Sequence, residues 1–194
     1  MLLFDLGGVL VDNGSILHGL GALSDRPLDE ETVKERWLRS ASARDFELGR
    51  ISPQVFAARF LREWGSCADP QVFLEELGSW LGRPYPRATE LLARARDDHH
   101  VSCLTNCNEL HWAQLAPFTR NFDSAFSSHL IGKIKPDAEA FAAVLDALHV
   151  PPERVRFFDD SRSNVDAAQA LGIRSFHVVG IRRLRECLEA EGLL

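Results

Sequence analysis

Apolar positions follow two rhythms along this chain. From Ile16 to Leu81 they recur every three or four residues, the spacing of one helix face. From about Tyr85 onward, short unbroken apolar runs alternate with such helical stretches. Before both comes Leu2-Leu3-Phe4, a buried strand by its composition, ended by Asp5 and the pair Gly7-Gly8. Ile16, Leu17, Leu20 and Leu23 then predict a short helix, broken at Ser24-Asp25-Arg26-Pro27. Asp29 reads as the cap of a helix reaching Ser40, with Val33, Trp37 and Leu38 inward. Glu47 to Pro53 reads as a turn closing on an N-cap with proline at the first helical position. Val55, Phe56, Phe60, Leu61 and Trp64 are assigned to one face of the helix that follows. After Asp69-Pro70, another helix is expected to bury Val72, Phe73, Leu77, Trp80 and Leu81. No β-branched alternation appears between about Asn13 and Tyr85, so residues 14–85 are read as an all-helical insert. Its tryptophans Trp37, Trp64 and Trp80 are read as bundle core rather than substrate cage.

Pro84-Tyr85-Pro86 ends the insert. A helix from Arg87 to about Asp97 leads into the strand Val101-Ser102-Cys103-Leu104, which ends at Thr105-Asn106. A helix around His111 to Phe118, an apolar stretch from Phe122 to Phe126, and a helix from Pro136 to Leu148 follow. Val155-Arg156-Phe157-Phe158 is a strand ending at Asp159-Asp160. A helix from Ser161 to Leu171 stops at Gly172, Ile173 to Val179 forms a last strand, and a final helix closes the chain. This alternation predicts an α/β fold, a doubly wound parallel sheet with crossover helices. The core is assigned to residues 1–13 and 86–194, with the helical cap, 14–85, inserted after the first strand.

At 194 residues and 45% hydrophobic, the chain can bury a full core. A net charge of −6 argues against nucleic acid or an anionic membrane as the main partner. No apolar run approaches a membrane span, and a strand at the first residues leaves no room for a signal peptide, so a cytoplasmic location is expected. Cys67, Cys103, Cys107 and Cys187 form no CxxC pair and no zinc spacing. They read as small hydrophobes in a reducing compartment. A monomer or small homo-oligomer is expected.

The chemistry gathers at strand ends, where an open α/β sheet places its ligands. A carboxylate there is costly unless it binds a cation or reacts, so Asp5 is read as a nucleophile or a metal ligand. Thr105 offers a hydroxyl, and Asn106 a backbone N–H next to a helix start. Asp159 and Asp160 are adjacent and in extended chain point opposite ways, so only one readily faces the site. Asp160, which leads into Ser161-Arg162-Ser163-Asn164, is assigned that place. Asp5 and Asp160 would repel unless a cation lay between them, and a hard, oxygen-liganded Mg²⁺ meets that need. Lys133 and Lys135, both before Pro136, each offer an ammonium for a phosphate.

These motifs, taken together, resemble the haloacid dehalogenase superfamily of phosphohydrolases over the whole chain. They are Asp5-Leu6-Gly7-Gly8-Val9, Leu104-Thr105-Asn106, Lys135-Pro136 followed by Phe141, and Phe157-Phe158-Asp159-Asp160 with Asn164-Val165-Asp166. The insert resembles the helical cap of that superfamily's first subgroup. Thr105-Asn106-Cys107-Asn108 and the Phe-Phe-Asp-Asp run are similar to the branch that holds α-D-glucose-1-phosphate phosphatase and the phosphatase domain of soluble epoxide hydrolase. The resemblance implies Asp5 as nucleophile through an aspartyl-phosphate, Thr105 as donor to the phosphoryl group, and Lys135 as the cation joining Asp5 to phosphate. It implies Mg²⁺ on Asp5, the Gly7 carbonyl and Asp160, supported from behind by Asp159 and Asn164, with Asn106 and Gly8 lining the substrate. The partner implied is a small phosphorylated metabolite.

One position departs from the family pattern. Most phosphatases of the superfamily carry a second Asp two residues after the nucleophile as general acid; here it is Gly7. Losing such help typically removes roughly 10²- to 10⁴-fold in rate. Substrates with good leaving groups, such as sugar 1-phosphates, acyl phosphates or aryl phosphates, are therefore expected. His18 and Asp12 lie nearest in sequence as replacement acids, but read as a surface residue and a helix cap; His111 reads as solvated. Arg44, Arg50 and Tyr85 are cap residues whose direction the pattern leaves open. Two other readings stand beside this one: a carbon–halogen hydrolase, disfavoured by the Asp159-Asp160 pair, and a module that binds a phosphorylated ligand or partner without turnover because of Gly7.

Overall fold

The computed structural model describes residues 1–14, 16–24 and 28–194. Residues 25–27, within the break read after the first helix, lie outside the described residues. The apolar runs form five strands, β1 (Leu2–Phe4), β2 (Val101–Thr105), β3 (Ser124–Ser127), β4 (Arg156–Asp159) and β5 (Arg174–His177). All pair in parallel in the order β3-β2-β1-β4-β5. β1 lies in the middle, with Phe4 opposite Cys103 on one side and Phe158 on the other.

Strands buried on both faces alternate between two cores. Leu2, Phe4, Cys103 and Phe158 face α6 (Ala88–Arg96) and the amphipathic α11 (Gly180–Ala190). Leu3, Leu104 and Phe157 face α9 (Ala138–Leu148) and α10 (Arg162–Ala170). Phe4, Phe158 and Phe176 stack across three neighbouring strands, each centroid step 5.1 Å. The chain leaves β1 towards β2 and β3, then returns to the opposite side of β1 to lay down β4 and β5. The sheet thus has its switch point between β1 and β4, where the carboxyl ends of the strands leave a crevice.

Between β1 and α6 come α1 (Ile16–Ala22), α2 (Glu30–Arg39), α3 (Ala41–Glu47), α4 (Pro53–Trp64) and α5 (Pro70–Ser79). Their interior is the aromatic cluster the sequence suggested: Phe46 stacks on Phe56 at 4.3 Å and Phe60 on Phe73 at 5.6 Å. The caps read from sequence are made, Asp29 accepting from Thr32 N and Ser52 from Val55 N, and Asp69 caps α5 in the same way, accepting from Val72 N. Three inward assignments fail: Leu38, Val55 and Val72 are 70%, 40% and 51% exposed. Each lies one residue, about 100°, from its helix's buried line. The Asp12 carboxylate, expected as the cap of the helix that follows, accepts from Gly14 N at 3.2 Å, just before α1.

The helical stretch is tied to the core by α7 (Glu109–Thr119) and α8 (Ser128–Ile131). Gln114 Nε2 donates to Gly78 O at 2.6 Å, Ser128 Oγ to Glu47 O at 2.5 Å, and Arg44 pairs with Asp137. His111, expected to be solvated, is buried, its Nε2 2.8 Å from Leu77 O, because α7 turns it under the end of α5. No helix among the described residues is long and apolar enough to cross a membrane.

Candidate active site

Three adjacent strands deliver polar side chains to one edge of the crevice. Asp5 follows β1, Thr105 ends β2, and Asp159 and Asp160 end β4 and follow it. Lys135 arrives from the loop before α9, held by Asn106: Asn106 Nδ2 donates to Lys135 O at 2.8 Å, and Lys135 N donates to Asn106 Oδ1 at 2.9 Å. The peptide bond from Lys135 to Pro136 is cis. Lys135 Nζ lies 2.9 Å from Asp5 Oδ1 and 2.7 Å from Asp159 Oδ2, and the side chain is buried. Lys133, its neighbour in sequence, is exposed.

Asp159 is fully buried and well supplied with donors, Ser161 N at 2.8 Å and Asn164 Nδ2 at 3.0 and 3.1 Å. Asn164 therefore supports Asp159 rather than Asp160. The expectation that only one of the adjacent pair faces the site also needs correcting. Asp5, Asp159 and Asp160 each bring an oxygen to within 4.8 Å of the others, since β4 ends between them and the chain bends at Asp160.

The loop from Leu6 to Val11 is built for close approach. Gly8 has φ +70° and its N–H donates to Val11 O at 2.8 Å, so it has no amide left for a substrate. A Cβ on Gly8 would overlap Asp160 Oδ2; this glycine makes room for that carboxylate. At Gly7 a Cβ would lie 2.7 Å from Asn13 Oδ1, so the Asn13 amide fills the space an acid side chain would enter. The Gly7 carbonyl receives no hydrogen bond among the described residues.

Charge in this crevice is unbalanced, three carboxylates against one buried ammonium, with Lys34 exposed on the wall. Burial pushes the Asp5 carboxyl up to about 7; Lys135 pulls it down, and Asp159 and Asp160 push it further up. Asp160 is raised too, by burial and then by Asp159. Lys135 is raised despite its burial, because Asp159 and Asp5 both hold its proton. A hard divalent cation fits this oxygen set and would relieve the excess charge.

Above the carboxylates lies a cavity of about 320 Å³. Its floor includes Asp5, Thr105, Lys135 and Asp160, and its far side comes from α1, α2 and the chain after α5. Sequence reasoning missed Asn13, Lys34 and Glu47 on its wall. Asn13 was detectable only as the second polar side chain, next to Asp12, after the Gly7-Gly8 motif. Nothing in the apolar pattern marks the other two. Arg44 and Arg50 turn instead to Asp137 and Asp45. His18 is exposed on α1 and Tyr85 is partly exposed.

A family profile described as haloacid dehalogenase-like hydrolase matches residues 1–172. The chain is similar to a protein of Aspergillus oryzae named a sesquiterpene phosphatase, 29% identical over 196 residues, covering 99% of this chain and 95% of that one. It is also similar to a phosphatase of Mycobacterium tuberculosis, 31% identical over 170 residues, covering 85% of this chain and 69% of that one. Among solved structures it shares its fold with a Bacteroides thetaiotaomicron enzyme of the same superfamily, in complex with magnesium and inorganic phosphate. The TM-score is 0.74 and the identity 24%, covering 91% of this chain and 92% of that one.

Proposed function

The chain belongs to the haloacid dehalogenase-like hydrolases, and from that premise we propose a Mg²⁺-dependent phosphomonoester hydrolase that works through an aspartyl-phosphate at Asp5. The observation that carries the reading is Lys135, buried between Asp5 and Asp159 with Asp160 alongside. Residues 14–85 act as a cap over a core made of residues 1–13 and 86–194.

Asp5, Asp160 and the Gly7 carbonyl would hold Mg²⁺, which when bound lowers the charge on the phosphoryl oxygens. The Asp5 carboxylate attacks phosphorus, the bond to the ester oxygen breaks, and water later releases phosphate from Asp5. Lys135 holds Asp5 in place and faces the incoming negative charge, while Asp159 keeps Lys135 protonated and oriented. Thr105, at the end of β2, donates to a phosphoryl oxygen. Asn106 acts one step back, through the Lys135 backbone.

No acid side chain stands at Gly7, and the Asn13 amide beside it can donate a hydrogen bond but not a proton. The leaving oxygen therefore departs without an acid from this loop, which favours activated esters such as acyl, aryl and anomeric sugar phosphates. The fungal relative is named for a sesquiterpene, so relatives of this chain are not confined to sugar esters. The same vacancy at Gly7 favours a second reading, a module that binds a phosphorylated ligand without turnover.

Phosphate release from acetyl phosphate, p-nitrophenyl phosphate, glucose 1-phosphate and ethyl phosphate separates the two. Mg²⁺-dependent release that Asp5→Asn abolishes is expected, with ethyl phosphate the slowest. A folded, Mg²⁺-loaded protein that releases nothing would instead leave the binding module.

A further inference from the structure

The cavity over Asp5 has a polar floor and an apolar roof. Ile16, Leu17 and Leu20 of α1, Trp37 and Leu38 of α2, and Leu81 line the side facing away from the carboxylates. Leu38 lines this cavity and is nonetheless 70% exposed, an apolar side chain left uncovered at its mouth.

Three of the polar side chains among the lining residues, Asn106, Asn108 and His111, are engaged already. Both ends of the Asn106 amide bond the Lys135 backbone. Asn108 Oδ1 accepts from His111 N at 3.1 Å and its Nδ2 meets the His111 ring at 3.3 Å, while His111 Nε2 bonds Leu77 O at 2.8 Å. A sugar ring lodged against Asn106, Asn108 and His111 would bury hydroxyls on groups with no capacity left, at roughly 1–3 kcal/mol each. The open side chains, Asn13 and Thr105, belong to the phosphate end of the cavity. Two charged residues remain on the wall. Lys34 is exposed, and its charge acts on Asp160, at the phosphate end, where it pulls that carboxyl's pKa down. Glu47 has its carboxyl pushed up to about 7 by burial, against the pull of Trp37 and Arg44, which marks its surroundings as poorly solvated.

We infer that the group esterified to phosphate in the substrate is apolar, an aliphatic or aromatic body that lies under α1 and α2 and ends at Leu38. The inference rests on the phosphatase reading and names its substrate class; it displaces the sugar 1-phosphate expected from the sequence. At about 320 Å³ the cavity is roughly twice the volume of one that accepts benzene. It therefore holds a phosphoryl group and a medium-sized hydrocarbon, with longer tails leaving past Leu38.

The test is a series with one leaving group and a growing apolar tail: phenyl, para-butylphenyl and para-octylphenyl phosphate, below their aggregation limits, beside glucose 1-phosphate. KM is expected to fall roughly three- to fourfold per buried methylene until the cavity is full. Leu38→Glu, at an exposed position where folding tolerates it, lowers the octylphenyl-to-phenyl ratio of kcat/KM by about tenfold. KM flat across the series, or glucose 1-phosphate preferred, while phosphate is released from every ester, overturns the apolar inference and leaves the phosphatase standing. Release from none of them overturns the phosphatase. Calorimetric titration of the same esters into Mg²⁺-loaded Asp5→Asn then decides the site's preference, and affinity that does not grow with tail length ends the proposal.

Discussion

Lys135 is a single buried cation shared by two carboxylates, with a third close by, so its removal exposes the imbalance. Lys135→Met leaves Asp159 fully buried with no ammonium. Unfolding in urea without added Mg²⁺ is expected to show a loss of about 3–5 kcal/mol, partly recovered by adding Asp159→Asn. Pattern alone left Lys133 and Lys135 equivalent, since both precede Pro136; burial separates them, and it follows from the Asn106 clamp, a long-range contact without local signature. Gly7 yields a second prediction. Gly7→Asp restores an acid but meets Asn13, so Gly7→Asp with Asn13→Ala is the informative variant. The ratio of ethyl phosphate to p-nitrophenyl phosphate hydrolysis should rise, by up to about 10²-fold, because the poorer leaving group gains more from a proton donor.

Among the elements, α3 was the one hidden in the sequence of the insert. It is seven residues long, and Ser40 closes α2 while its hydroxyl accepts from Ala43 N to open α3, so no breaker separates the two. The other helices were legible from their caps and aromatic spacing, and the errors at Leu38, Val55 and Val72 came from widening a face by one residue. Glu47 ends α3, where the helix dipole also disfavours a carboxylate. Its pKa in the folded protein is about 7, against 4.5 as the ordinary value. The folded state therefore binds more protons than the unfolded chain between these values, and stability falls as pH rises through that window. Thermal melts from pH 5 to 8 should show this decline, to which Asp5 adds in the same window, and Glu47→Gln should reduce it by at most about 3 kcal/mol.

For the whole molecule, short apolar runs alternating with helical stretches sufficed to give a parallel sheet, because the central strands β1 and β2 are buried along their whole length. Strand order was less accessible: nothing local says that β4 returns to the far side of β1. That return makes the switch point, and with it the meeting of Asp5 and the Asp159-Asp160 pair. The cavity above belongs to the same category, assembled from α1, α2 and the strand ends, elements far apart in sequence.

The central position of β1 also sets a timetable. Its partners are Cys103 on one side and Phe158 on the other, both far downstream of Phe4. A ribosome adding about 5–20 residues per second needs on the order of ten to thirty seconds to go from β1 to β4. Over that interval the helices of the insert can close on their own aromatic core, while β1 has β2 on one side only and Asp5 still lacks the Asp159-Asp160 pair. Reactivity is thus a late property of the newborn chain. Synthesis that stalls between β3 and β4 leaves a helical body with sticky strand edges, a substrate for chaperones and proteases rather than a half-active enzyme.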